Sequence, residues 1–248
     1  MELLTLSNTK LLKGNKRGYM SFILHLAPGD LSGHEVCIKR SPGCTTACLN
    51  TAGRGQMNSV QRGRLRKTVM YFEQRDQFMA LLVNNIRRGI AQADRAGLDA
   101  CFRLNGTSDI PWEKVRVNGQ TVFELFPEAQ FYDYTKIPGR KVSAYPNYHL
   151  TFSRAENNQR DVARAVAAGM NVAVVFREQP ETYLGLPVVS GDVDDLRFLD
   201  PAGRVVGLTA KGRGRRDTSG FAHFFDLTMS LSILNCIAAI LHIISSSK

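Results

Sequence analysis

The chain has 248 residues, 44% of them hydrophobic and 22% charged, and a formal net charge of +10 at pH 7 with His neutral. That length suits one domain and that apolar share suits a packed core, so a disordered body is excluded. The surplus of 32 Lys and Arg over 22 Asp and Glu suits an anionic partner such as nucleic acid, a nucleotide or phosphate, although a soluble enzyme with a basic surface would satisfy it equally.

Residues 1–18 are polar and basic, with Gly14 and Gly18 as breakers, and read as an irregular arm. Residues 20–26 form a short apolar run closed by Pro28 and Gly29, the pattern of a buried strand. From about 60 to 96 the spacing predicts helix. Val69, Phe72, Phe78, Leu81, Leu82, Ile86 and Ile90 fall on one apolar stripe, and Gly97 is a C-cap. Arg62, Arg64, Arg66 and Lys67 make its start basic, either a solvated face or a grip for phosphate. Strands are predicted at 100–104, 129–134, 148–153 and 171–176, with shorter ones at 187–189 and 205–208. Helical pieces are predicted at 121–126 and 158–168. Alternating strands and helices with near-continuous apolar strands imply an α/β fold with a parallel sheet. A β/α barrel, partial or closed, is the first choice, and an open doubly wound sheet the second. GxGxxG and GxxxxGK[ST] are both absent from the sequence.

Three of the five cysteines, Cys37, Cys44 and Cys48, fall within twelve residues directly after the first strand. An odd number disfavours a closed disulfide set, and the lack of a signal peptide points to a reducing cytosol. The spacing C-x6-C-x3-C lacks the C-x2-C pair of a zinc site. It suits a [4Fe–4S] cluster with one iron open to a substrate or S-adenosylmethionine. Zinc with an outside fourth ligand, or no metal, stays open as an alternative. Cys101 and Cys236 read as structural thiols.

In a parallel β/α protein, chemistry gathers at the carboxyl ends of the strands. Arg103, Asn105, Ser108, Asp109, Tyr132, Asp133, Lys136 and Ser153 fall there, and they are expected to line one cavity beside the cysteine loop as ligand-binding residues. Arg103 and Lys136 suit a carboxylate or phosphate. Each piece also has a plainer reading. Residues 105–109 make a good turn, and Thr107 or Ser108 a good cap for a helix near Pro111. His25 and His149 read as core histidines. Asp192, Asp194 and Asp195 read as solvated loop acids, since their spacing is not that of an oxygen-ligated metal.

Several phrases carry a family likeness: residues 41–55 (SPGCTTACLNTAGRG), 103–113 (RLNGTSDIPWE), 131–136 (FYDYTK), 150–153 (LTFS), and Asp200 followed by 207–212 (GLTAKG). Over about residues 5–221 the chain resembles the gene-product-eighty-eight-like proteins of bacteriophages and prophages. The resemblance implies a phage origin, hence the host cytoplasm, and a radical-SAM-like barrel whose cluster-binding cysteines follow the first strand. The cysteines depart from the radical-SAM spacing C-x3-C-x2-C, so cluster binding carries over more safely than cleavage of S-adenosylmethionine.

The expected organisation is therefore an arm at 1–18, a barrel-like domain at 19–221 with its iron–sulfur loop at 37–48, and a tail at 222–248. Residues 227–244 are apolar and nearly long enough to span a bilayer, but Asn235 and His242 favour a packing helix over a membrane anchor. Two functions follow. One is a redox or radical-type iron–sulfur enzyme acting on an anionic small molecule or nucleotide. The other is a basic nucleic-acid-binding protein whose metal site is only structural, with residues 62–67 and 211–216 as its basic runs. Aromatics are not interleaved with those runs, which favours the enzyme.

Overall fold

A computed structural model describes residues 2–6 and 13–224 of the chain. The apolar segment 227–244, with Cys236, lies outside them. Nine strands form one sheet in the order β1-β2-β3-β4-β5-β6-β9-β8-β7. The strands are β1 Leu4–Thr5, β2 Tyr19–Leu24, β3 Asp99–Arg103, β4 Gln130–Thr135, β5 Tyr148–Ser153, β6 Val172–Phe176, β7 Thr182–Tyr183, β8 Leu186–Ser190 and β9 Val205–Thr209. From β2 through β6, β9 and β8 every pairing is parallel, as the continuous apolar runs imply. The first and last pairings, β1 with β2 and β7 with β8, are antiparallel.

The sheet is open, so the expected barrel closure is not found. Each end of the sheet is a two-residue antiparallel strand, and the two ends do not pair with each other. Part of the expected irregular arm is one of these strands: β1 pairs Leu4 with Leu24 and Thr5 with Ile23.

The helices are α1 Pro42–Thr46, α2 Asn58–Glu73, α3 Arg75–Arg95, α4 Val122–Leu125 and α5 Gln159–Ala167. One face of the sheet carries the main core. Phe22 stacks on Phe102 at 5.1 Å, and Phe102 on Phe131 at 5.4 Å. Phe78, Leu82 and Ile86 of α3 belong to the same core, as does the fully buried Trp112. Val162 and Ala165 of α5 pack with Phe152, Val172 and Val174. On the other face, Leu196 with Phe198 and Leu199 of the 3-10 turn Arg197–Leu199 packs on Cys101 and Tyr132. Asp194 and Asp195, expected as solvated loop acids, are buried, while Asp192 stays partly exposed and pairs with Lys211 at 3.1 Å. Asp195 pairs with Arg103 at 2.9 Å, and Asp194 with Arg17 at 2.9 Å and Arg197 at 3.2 Å. Arg197 also reaches Asp200 at 3.0 Å. Buried acids need such partners, because an unpaired charge away from water is costly.

The long predicted helix is two. Gln74, at φ −134° and ψ 53°, leaves the helical region between α2 and α3. The apolar stripe holds in α3 but not in α2. There Arg64, Lys67, Thr68 and Tyr71 face inward, at the spacing of one helix face, while Phe72 is exposed. No helix among the described residues is long and apolar enough to cross a membrane.

Candidate functional site

The cysteine loop lies over the carboxyl edge of the sheet and is tied down at several points. Ser41 caps α1 by accepting from the Cys44 N–H at 3.0 Å, with Pro42 in the first turn. The Ser41 hydroxyl donates to Glu156 at 2.6 Å, and the Gly43 N–H donates to the same carboxylate at 2.8 Å. Glu156 lies just past β5, so α1 is anchored to the middle of the sheet. A Cβ at Gly43 would meet Ser219 Oγ at 2.1 Å and Phe221 Cβ at 2.7 Å, so only glycine allows this close approach. Before α1, Asp109 N–H donates to Val36 C=O at 2.8 Å, and the Cys37 thiol donates to Thr107 C=O at 3.8 Å. Thr107 in turn donates to Leu26 C=O at 2.5 Å.

Cys37, Cys44 and Cys48 are half-buried free thiols. Burial pushes Cys37 up to about 12, and the neighbouring Cys44, Cys48 and Asp109 add to the rise against the Gly29 N–H. Burial also raises Cys48, with Cys44 adding to it, while the Asn50 N–H, Arg64 and Lys136 oppose it. The three thiols therefore sit within reach of one another's charge. Among the described residues no group of three or more His, Cys, Asp or Glu is arranged to hold a metal ion. Lys136 stands among them, within reach of the charge of Cys44 and Cys37. Its ammonium donates to Ser153 Oγ at 3.1 Å and lies 5.7 Å from the Phe221 ring. Burial opposes its charge, but Cys44 and Asp109 outweigh that and hold its pKa above the ordinary lysine value.

The eight strand-end residues fall into three groups. Lys136 and Ser153 join the cysteines. Asn105, Ser108, Asp109 and Asp133 form a buried polar layer beneath the loop. In it the Asn105 N–H donates to Asp133 Oδ1 at 2.7 Å, and the Asn105 amide to Asp133 Oδ2 at 3.2 Å. Asn105 Oδ1 accepts from Ser108, the Ile110 N–H and the Trp112 indole, at 2.9 to 3.2 Å. Tyr148 donates to Asp133 at 3.0 Å. Burial lifts Asp133 to about 7, against the Asn105 N–H, Arg103, Arg140 and Tyr148. Asp109 accepts from Thr135 at 2.8 Å and from the Lys136 N–H at 2.7 Å, and burial nonetheless leaves it raised. Arg103 and Tyr132 form the third group, on the face packed by residues 194–199. There Arg103 is bound to Asp195 and lies 4.6 Å from the Tyr134 ring. The strand alternation separates them from Asp133.

Three further expectations are corrected. The turn at 105–109 is followed by a 3-10 turn, Trp112–Lys114, with no side-chain cap, because Thr107 and Ser108 bond elsewhere. His25 and His149 are half-buried rather than core. Burial lowers both pKa values, with His25 falling to about 3. Sequence reasoning did not single out Glu156, Phe221 or the Arg140–Glu113 pair at 2.5 Å. Glu156 stood in a polar strand-end stretch, but nothing local marked it as the loop's anchor.

An open parallel α/β sheet with a cysteine-bearing loop at its carboxyl edge is the class this arrangement defines. The family model described as Gene product 88 matches residues 2–224, and the chain belongs to that bacteriophage gene-product family. No curated protein and no solved structure matches it.

Proposed function

We propose that Cys37, Cys44 and Cys48 hold a [4Fe–4S] cluster with one iron open, and that the protein is a redox or radical-type enzyme acting on an anionic small molecule or nucleotide at the same rim. The observation that carries this is the gathering of three half-buried thiols around Lys136 at the carboxyl edge of a parallel sheet. The donors are all soft sulfur, with no His among them, which suits iron–sulfur ligation. When bound, the cluster would supply one-electron chemistry at an iron accessible to substrate or to S-adenosylmethionine. Lys136 places a positive charge near Cys48 that opposes the rise of its thiol, favouring the thiolate a ligand must become. The same ammonium would orient an anionic substrate.

Anaerobic purification or reconstitution should give a brown protein with broad visible absorption and equal amounts of iron and acid-labile sulfide. Cys44→Ala should abolish both. A preparation that stays colourless and iron-free after reconstitution would overturn the reading. Nucleic-acid binding is the second reading. It is favoured by the exposed Arg213, Arg215 and Arg216 on the 3-10 turn Gly212–Arg216, which packs beside the cysteine loop at Ala52. It requires affinity that falls steeply with salt and is lost on charge reversal of those arginines.

A further inference from the structure

Between α2 and the β1–β2 edge lies a cavity of about 230 Å³, lined by Glu2, Thr5, His25, Arg64, Arg66 and Lys67 among others. Two of its cations are almost wholly buried: Arg64 is 8% exposed and Lys67 7%. Neither is paired with an acid among the described residues. Arg64 donates to the Asn50 side-chain oxygen, and Lys67 to Leu3 C=O at 3.0 Å, both neutral acceptors. Arg64 Nε is buried and has no hydrogen-bond partner. The cavity's one lining acid, Glu2, turns instead to Arg88 at 2.9 Å. Arg103, Arg140 and Arg197 show the contrast, since each is buried against a carboxylate.

Unpaired buried charges are expensive, and two like charges side by side more so. Burial and the Arg64 charge bring Lys67 down to about 8. Burial lowers Arg64 as well. His25 stays neutral for the same reasons, with Arg64, Arg103 and Lys67 around it. A helix that turns Arg64, Lys67 and Thr68 inward where leucines would serve packing better is arranged for something negative. The volume lies below the roughly 300–1,000 Å³ of pockets for drug-sized ligands, and so suits a small anion with its water.

We propose that this cavity binds one phosphate group, free or as the end of a small phosphomonoester, held by Arg64 and Lys67 with Arg66 at the rim. None of the three cysteines lines the cavity, although Arg64 lies within reach of the Cys48 charge. The test is calorimetric titration of the full chain with inorganic phosphate, at constant ionic strength against chloride, with thermal melts alongside. Saturable binding and a phosphate-specific rise in Tm are expected. Lys67→Met should weaken that binding by at least about ten-fold, as loss of a charge-assisted contact does. Arg66→Gln, at an exposed position that leaves packing intact, should weaken it several-fold and decides the matter if Lys67→Met does not fold. Glycerol 3-phosphate binding more tightly than phosphate identifies an ester as the ligand, and equal or weaker binding identifies the free ion. Absence of phosphate-specific binding in the wild type overturns the proposal. So does binding that Arg66→Gln and Lys67→Met leave unchanged, and so does binding seen only with an oligonucleotide.

Discussion

Asp133 is a carboxyl group held where no water reaches it, and its proton should be visible in the stability of the protein. Its folded pKa of about 7 lies above the ordinary 3.8. The stability it contributes is therefore complete below about pH 4 and is lost as pH rises toward 7. His25 runs the other way, because a folded pKa of about 3 against 6.5 removes stability as pH falls through that interval. Comparing Tm from pH 4 to 8 for the wild type and Asp133→Asn separates the two: the variant should lose the decline toward pH 7 and keep the acid limb. Parallel curves would show that Asp133 is ionised throughout. Asn105 is the hub of the same layer, serving Asp133, Ser108, Ile110 and Trp112 at once. Asn105→Ala strands several buried polar groups, each worth roughly 1–3 kcal/mol. It should lower stability by about 3 kcal/mol or more and shift Trp112 emission to the red. Unchanged emission together with unchanged stability would mean that Ser108 and Trp112 find other acceptors.

At the level of elements, the cysteine loop depends on a contact that no local pattern announces. Gly43→Ala places a methyl group on Ser219 and Phe221, so α1 must lift away from the sheet edge. Alkylation of Cys44 and Cys48 by a maleimide should then run several-fold faster, with the far-UV circular dichroism unchanged. Equal rates would show that the loop tolerates the methyl in place. The strands β2 to β6 were legible in the sequence to within a residue or two, because parallel strands covered on both faces are continuous apolar runs. β1 and β7 were not, since two residues carry no periodicity. The break at Gln74 has neither glycine nor proline to mark it. The site was half legible. Cysteines crowded after a strand point to its end, but the partner that takes Arg103 away from Asn105 is Asp195, ninety-two residues further along. The inward face of α2 was not legible, because Val69 and Phe72 continue the α3 stripe while two of the four residues that face inward, Arg64 and Lys67, are cations.

For the whole molecule, the open sheet makes its edges matter. β1 closes one of them: Leu3 and Leu4 are buried, and the Leu3 N–H donates to Asn85 at 2.9 Å. Deleting residues 1–6 uncovers β2 and removes two buried leucines, a loss of about 3–6 kcal/mol at roughly 1.5–3 kcal/mol each. The deleted protein should melt lower and associate through the bared edge, measured by Tm and light scattering. A monomer with the wild-type Tm would show that β1 is dispensable. The inward cations of α2 reach beyond binding to the order in which the structure comes apart. α3 is clamped by Phe78, Leu82 and Ile86, whereas α2 docks through a face whose charges repel. The molecule thus carries a layer of low local stability beside one of high stability, and the amide protons of α2 should exchange with solvent well before those of α3. Phosphate in the cavity would slow exchange in α2 alone, converting the least cooperative layer of the protein into one whose opening free energy is set by the anion concentration around it.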